Sequence, residues 1–170
     1  MGRRWPPRGL HEPCGKGVES YTDPAGNAQI TRKIKADGGE LVYVTMDEPI
    51  FNGHYYSGPN ACHSTIEVVA ERAAAIMREY QKVFPNVKFG DTEPFPGLTK
   101  QHNWRAEYKQ WLGTFNRVLG TPITFLNIDM NWPEDNWHLQ PSLQQVRRFA
   151  HDDHLQIGIP GRGEIGQAMV

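Results

Sequence analysis

Short apolar runs alternate along the chain with longer stretches of helical periodicity. Four runs rich in β-branched and aromatic residues predict strands at residues 41–46, 87–90, 123–128 and 155–159. Three of them are almost continuously apolar, which is typical of parallel strands that are buried on both faces. The first three runs are followed directly by acidic residues, and this feature shapes the functional hypothesis below.

Helices are predicted in the gaps between these strands. Apolar residues recur at helical spacing in four stretches, residues 28–36, 66–83, 104–119 and 143–149. Ser64 with Glu67, and Ser142 with Gln145, match the capping box that opens many helices. The predicted element order is therefore α-β-α-β-α-β-α-β.

This alternation predicts an α/β protein with a parallel sheet and right-handed crossovers. A doubly wound sheet and a barrel both satisfy the pattern, but no Gly-x-Gly-x-x-Gly opens a helix, so the dinucleotide-binding version loses its main support. The acidic strand ends favour a partial TIM-type barrel. A complete barrel takes about 250 residues, so we expect a fragment of a longer barrel, a half-barrel that pairs with a second copy, or an open sheet.

The predicted βα-repeat domain spans residues 23–160, between an irregular segment at 1–22 and a tail at 161–170. The net charge of −1, without any run of five like charges, gives no basic face for nucleic acid. No apolar run approaches the roughly 18 residues of a membrane span, and no signal peptide is expected as the sequence is written. The sequence therefore does not indicate the cellular compartment of the protein. Cys14 and Cys62 form one disulfide or remain two thiols.

The acidic strand ends predict a shared site, because ligands of parallel α/β folds bind at the carboxyl ends of the strands. Like charges gathered there raise the pKa of at least one carboxyl group. Glycoside hydrolysis needs such a proton donor and a second carboxylate. We expect Glu48 to be the acid, Glu93 or Asp129 to be its partner, and Asp47 to orient Glu48 or contact the substrate.

Two loops of mixed aromatic, amide and histidine composition, at residues 51–63 and 131–138, follow the first and third predicted strands. Sugars offer hydroxyl groups and apolar C–H faces, so such loops suit a carbohydrate, and loops on a rigid scaffold often carry binding residues. The expected substrate-binding residues are His54, Tyr55, Asn60, Asp91, Asn131, Trp132 and Trp137.

A metal site is the alternative chemistry. His54 and His63 could converge with Asp47, Glu48 and Asp91, a ligand set that suits zinc or manganese. The sequence contains neither His-x-His nor His-Glu-x-x-His. The primary hypothesis therefore needs no metal and no cofactor.

At Asp47-Glu48-Pro49, which closes the first apolar strand, the chain resembles the glycoside hydrolase superfamily of (β/α)8 barrels. Many of those enzymes place a catalytic acid at the end of the fourth strand, and Glu48 matches that position. The adjacent Asp-Glu pair is also similar to hexosaminidases that use the substrate's acetamido group as nucleophile, which implies that Asp47 would position that group. The common Asn-Glu-Pro is Asp-Glu-Pro here, and no glutamate ends the fourth predicted strand.

Three functional hypotheses follow. The first is a glycosidase that acts on a polysaccharide or oligosaccharide, with carbohydrate as its partner and, in the half-barrel alternative, a homodimer that completes the barrel. The second is a non-catalytic carbohydrate-binding protein or a remnant of a barrel. The third is a metal-dependent hydrolase or lyase that uses His54 and His63.

Overall fold

The computed structural model describes residues 22–130 and 140–158. Helices and strands alternate throughout this part of the chain, and a short π-helix, Phe51–Tyr55, follows the first strand. The elements in chain order are α1 Pro24–Ala36, β1 Tyr43–Asp47, α2 Ile66–Val83, β2 Lys88–Phe95, α3 Trp104–Leu119, β3 Ile123–Met130, α4 Gln140–Asp152 and β4 Gln156–Gly158.

The four strands form one parallel sheet in the order β1-β2-β3-β4. The predicted α/β class and parallel sheet are therefore confirmed. Each strand pairs with the next strand along the chain, and every crossover between neighbours contains one α-helix. The predicted tail at residues 161–170, and all of the predicted segment 1–22 except Thr22, lie outside the described residues.

The helices lie side by side on one face of the sheet. Tyr80 of α2 donates a hydrogen bond to Asn27 of α1, with 2.8 Å between the two oxygens. Trp104 and Tyr108 of α3 pack their rings against Phe149 of α4. The hydrophobic core lies between this helical layer and the sheet, and the tryptophans of α3 are part of it.

Two helices begin at residues other than those the capping-box patterns predicted. The N-cap of α2 is Thr65, whose hydroxyl accepts a hydrogen bond from the amide of Val68, whereas the backbone amide of Ser64 donates to the carbonyl oxygen of Gly53 in the π-helix. Ser142 lies inside α4, which already includes Gln140. The capping predictions were wrong at both positions, because tertiary contacts and an earlier helix start decided the caps.

β2 is longer than the sequence pattern predicted, and this difference moves two candidate carboxylates. The strand continues to Phe95, so Asp91 and Glu93 lie within it and not beyond its tip. Side chains alternate along a strand, and both carboxylates therefore share the helix-facing side with Phe89 and Phe95. The expectation that these two residues end the strand was wrong.

Two further expectations have a structural answer. Cys62 is disulfide-bonded, which leaves no free thiol at that position. Among the described helices, none combines the length and the apolar character that crossing a bilayer requires.

Candidate functional site

Glu48 forms the turn by which the chain leaves β1. Its φ angle is 48°, in the left-handed region that residues other than glycine rarely adopt. The backbone amide of Glu48 donates to the carbonyl oxygen of Thr92 at 2.7 Å, and the side-chain amide of Asn52 donates to Glu48 Oε2 at 2.9 Å. A strained backbone that neighbouring contacts hold in place is a common feature of functional sites.

The surroundings of Glu48 favour its protonated form. Burial, which is partial, raises the pKa of its carboxyl group above the usual 4.5, and the charges of Asp47 and Asp129 raise it further. The hydrogen bond from Asn52 opposes this shift. Asp47 and Asp129 are themselves exposed. The structure therefore brings three of the predicted catalytic residues within electrostatic range at the carboxyl end of the sheet.

Glu93, a predicted partner of Glu48, instead acts as a clamp on the backbone. Its side chain is 2% exposed. Oε1 accepts the amide hydrogen of Ile50 at 3.0 Å, and Oε2 accepts that of Phe51 at 3.1 Å. These amides begin the helical turn after Glu48, where a carboxylate satisfies donors that lack a helical partner. Both oxygens are thus committed to holding the turn that presents Glu48.

Burial and the charge of Asp91 raise the pKa of Glu93 well above its usual range. The charge of Glu48 contributes in the same direction. The two carboxyl groups therefore lie close enough to influence each other, although one is closed off and the other is half-buried. Glu93 belongs to the site through its effect on Glu48, and its buried position gives a substrate no access.

Asp91 is buried completely, with an exposed fraction of 0%. Its Oδ2 accepts hydrogen bonds from the hydroxyl of Tyr108 at 2.8 Å and from the indole nitrogen of Trp111 at 2.9 Å. Oδ1 is buried without a well-formed hydrogen bond to the described residues. Burial raises the pKa of Asp91 to about 7, against the opposing effect of both hydrogen bonds. Complete burial closes Asp91 off from a substrate.

His54 and Tyr55 meet a residue that the sequence analysis missed. Tyr55 donates to Glu107 Oε2 at 2.7 Å, and His54 Nε2 lies 4.0 Å from Glu107 Oε1. The ring nitrogen Nδ1 of His54 lies 2.7 Å from the carbonyl oxygen of Ser64, which orients the imidazole. Burial and Glu107 both raise the pKa of Tyr55. Glu107 lies in the first turn of α3, and its place after the β2–α3 loop was the available signal.

The remaining predicted residues do not join this cluster in the described structure. Asn60 and His63 are exposed loop residues with positive φ angles of 62° and 46°. Asn131, Trp132 and Trp137 lie outside the described residues. Within residues 22–130 and 140–158, no three side chains of the metal-binding types are grouped so that they could hold an ion. The ligand set of the metal hypothesis, which falls wholly within these ranges, does not converge.

The sequence analysis also missed a polar ladder on the sheet face opposite the helices. The hydroxyl oxygens of Thr45 and Thr92 are 2.9 Å apart, and Asn127 Nδ2 donates to Thr92 Oγ1 at 3.4 Å. Strand pairing places Thr92 between Asp47 and Asn127 in one row across the sheet. Residue type alone did not single out these positions, because only the strand register shows that they share a face.

Comparison with known proteins found no matching family model, no similar curated protein and no similar solved structure.

Proposed function

We propose that the protein hydrolyses glycosidic bonds of a poly- or oligosaccharide by carboxylate acid/base catalysis, with Glu48 as the proton donor. One observation carries the proposal: Glu48 is held in a strained turn at the end of β1, with its pKa raised by burial and by two neighbouring carboxylates. A general acid works best when its pKa lies near the operating pH, and burial and like charges are the usual means of raising it.

Asp129 is the better candidate for the second carboxylate. It is exposed at the end of β3 and influences the charge of Glu48, whereas Glu93 is closed off by its bonds to the backbone. A glycosidase uses the second carboxylate as base or nucleophile, and it must therefore reach the sugar or a water molecule. Asp47 is adjacent to Glu48 and serves to orient it or to contact the substrate.

The topology supports a partial TIM-type barrel as the scaffold. In such a barrel, each strand lies beside the next strand in sequence and all helices lie on the outer face. The order β1-β2-β3-β4 with helices on one face has this character. The polar ladder then lies on the inner side, and the helix-facing carboxylates Asp91 and Glu93 lie behind it.

Glu48→Gln tests the proposed acid, because glutamine keeps the shape and the hydrogen bond from Asn52 but cannot donate the proton. We expect turnover of aryl-glycosides and common polysaccharides to fall by about 10²–10⁴-fold. Glu71→Gln is the matched control, since Glu71 is an exposed residue of α2 remote from β1 in sequence. Circular dichroism of each variant checks that the fold is retained.

Unchanged turnover in Glu48→Gln would overturn the proposed mechanism. Oligosaccharide binding by the parent protein, without turnover of any substrate in the panel, would overturn hydrolysis and favour the non-catalytic carbohydrate-binding hypothesis.

A further inference from the structure

The face of the sheet opposite the helices carries an aromatic ring, hydroxyl and amide groups, and exposed carboxylates at successive positions along the strands. Strand register gives the order of its rows, from the amino to the carboxyl ends of the strands. One row contains Thr45, Gly90 and Phe125, the next contains Asp47, Thr92 and Asn127, and Asp129 follows in the row beyond. The ring of Phe125 is thus separated from Asp129 by one row that carries hydroxyl, amide and carboxylate groups.

The ring of Phe125 lies against a glycine in the middle of the sheet. Gly90 of β2 pairs with Thr45 on one side and Phe125 on the other. A Cβ added at Gly90 would overlap the ring of Phe125, so the ring lies across the backbone of the central strand. Glycine within a strand often marks such a close approach.

Tyr43 packs against the ring of Phe125. Its ring centroid lies 5.8 Å from that of Phe125, and the two planes meet at 81°. The edge-to-face contact is one of the preferred geometries for aromatic pairs. Tyr43 is 39% exposed, and Phe125 is partly exposed. The ring of Phe125 therefore contacts Gly90 and Tyr43 and is not enclosed in the core.

The geometry points to Phe125 as a stacking platform for a saccharide that continues along the polar ladder to Glu48 and Asp129. This inference rests on the proposed function and adds to it the binding residues and the direction of the chain. An aromatic face suits the C–H face of a sugar ring, and the hydroxyl and amide groups of Thr45, Thr92 and Asn127 suit its hydroxyl groups.

The dimensions favour an oligosaccharide over a single sugar. Phe125 and Asp129 are four residues apart on β3, which corresponds to about 13 Å at the rise of a parallel strand. A ligand that contacts both Phe125 and Asp129 must span that distance. We therefore expect the platform to contribute to the binding of longer oligosaccharides and to contribute little to small aryl-glycosides.

The test measures the binding of a panel of α- and β-linked tetra- to hexasaccharides by titration calorimetry, in the Glu48→Gln background so that no substrate is consumed. Phe125→Leu removes the aromatic face and keeps an apolar side chain, and we expect the Kd to rise about tenfold or more. Phe125→Tyr keeps the ring and is the matched control, with a Kd within about twofold of the parent.

Hydrolysis of aryl-glycosides, measured in the Glu48-containing protein, separates this inference from the proposed function. We expect Phe125→Leu to lower kcat/KM for oligosaccharides by a larger factor than kcat/KM for aryl-glycosides. Equal oligosaccharide affinity in Phe125→Leu and its parent would overturn the platform, even if Glu48→Gln abolishes hydrolysis. Failure of every oligosaccharide to bind would also overturn the platform. The proposed catalytic mechanism is tested separately, by the hydrolysis rate of Glu48→Gln. Thermal unfolding of both Phe125 variants checks the fold.

Discussion

Asp91 predicts an unusual dependence of stability on pH. Its folded-state pKa is raised from 3.8 to about 7, mainly by burial. Between these two values the folded protein binds a proton that the unfolded chain does not. Its contribution to the free energy of unfolding is therefore fully present below the unfolded pKa and is lost as the pH rises through the folded pKa.

The magnitude follows from the same two values. One pKa unit corresponds to about 1.4 kcal/mol, so the rise from 3.8 to about 7 corresponds to about 4 kcal/mol. Asp91 is inaccessible to solvent, so screening by water does not reduce this effect. Glu93, whose pKa is also raised, acts in the same direction. We expect the free energy of unfolding to fall by several kcal/mol between pH 4 and pH 8.

Asp91→Asn is the perturbation that isolates this effect. Asparagine stays neutral, and its carbonyl oxygen can still accept from Tyr108 and Trp111. We expect a shallower pH dependence, with the variant at least as stable as the parent at pH 8. Urea unfolding, followed by tryptophan fluorescence at steps between pH 4 and pH 8, measures this. Asp152→Asn, at the exposed end of α4, is the matched control.

Two results would refute the reasoning. A free energy of unfolding that is constant or rises from pH 4 to pH 8 in the parent would mean that Asp91 is ionised at little cost. A pH dependence that Asp91→Asn leaves unaltered would mean that other groups cause it.

Three further predictions concern the sheet and the turn after β1. Gly90→Ala should cost about 1–3 kcal/mol in urea unfolding, because the new methyl group must displace the ring of Phe125; unchanged stability would show that the ring moves freely. Glu93→Ala should cost about 3 kcal/mol or more, since two amide hydrogen bonds to a buried carboxylate are lost; a loss below about 1 kcal/mol would contradict the clamp. Asp129→Asn should lower the pKa of Glu48, because it removes a charge that raises it; an unchanged pKa of the Glu48 carboxyl group in an NMR titration would place Asp129 outside the site.

The local pattern of apolar residues was sufficient to predict much of the fold. The predicted helices at 66–83 and 104–119 match α2 and α3, and the predicted strands overlap all four observed strands. Periodicity of apolar residues is a local property that the chain expresses directly. The carboxyl end of β1, with Glu48 in the turn, was also visible from the Asp-Glu-Pro sequence.

The environments of the buried carboxylates Asp91 and Glu93 could not be predicted from the local sequence. Asp91-Thr92-Glu93-Pro94 has the composition of a turn, and it nevertheless continues a strand. Its polar groups are satisfied from far along the chain: Tyr108 is 17 residues from Asp91, and Ile50 is 43 residues from Glu93. No sequence window contains both partners of these bonds, so residue type indicated an acid but not whether it was accessible.

The sequential strand order affects how such a fold can gain units and change during evolution. A strand whose spatial neighbour is also its neighbour in sequence depends on the adjacent βα units alone for its pairing. One more strand and helix can therefore join at an edge by duplication of a unit, without rearranging the pairs already made. Change can accumulate at the edges while the central pair, β2 and β3, keeps its register and with it the row of groups that crosses the sheet.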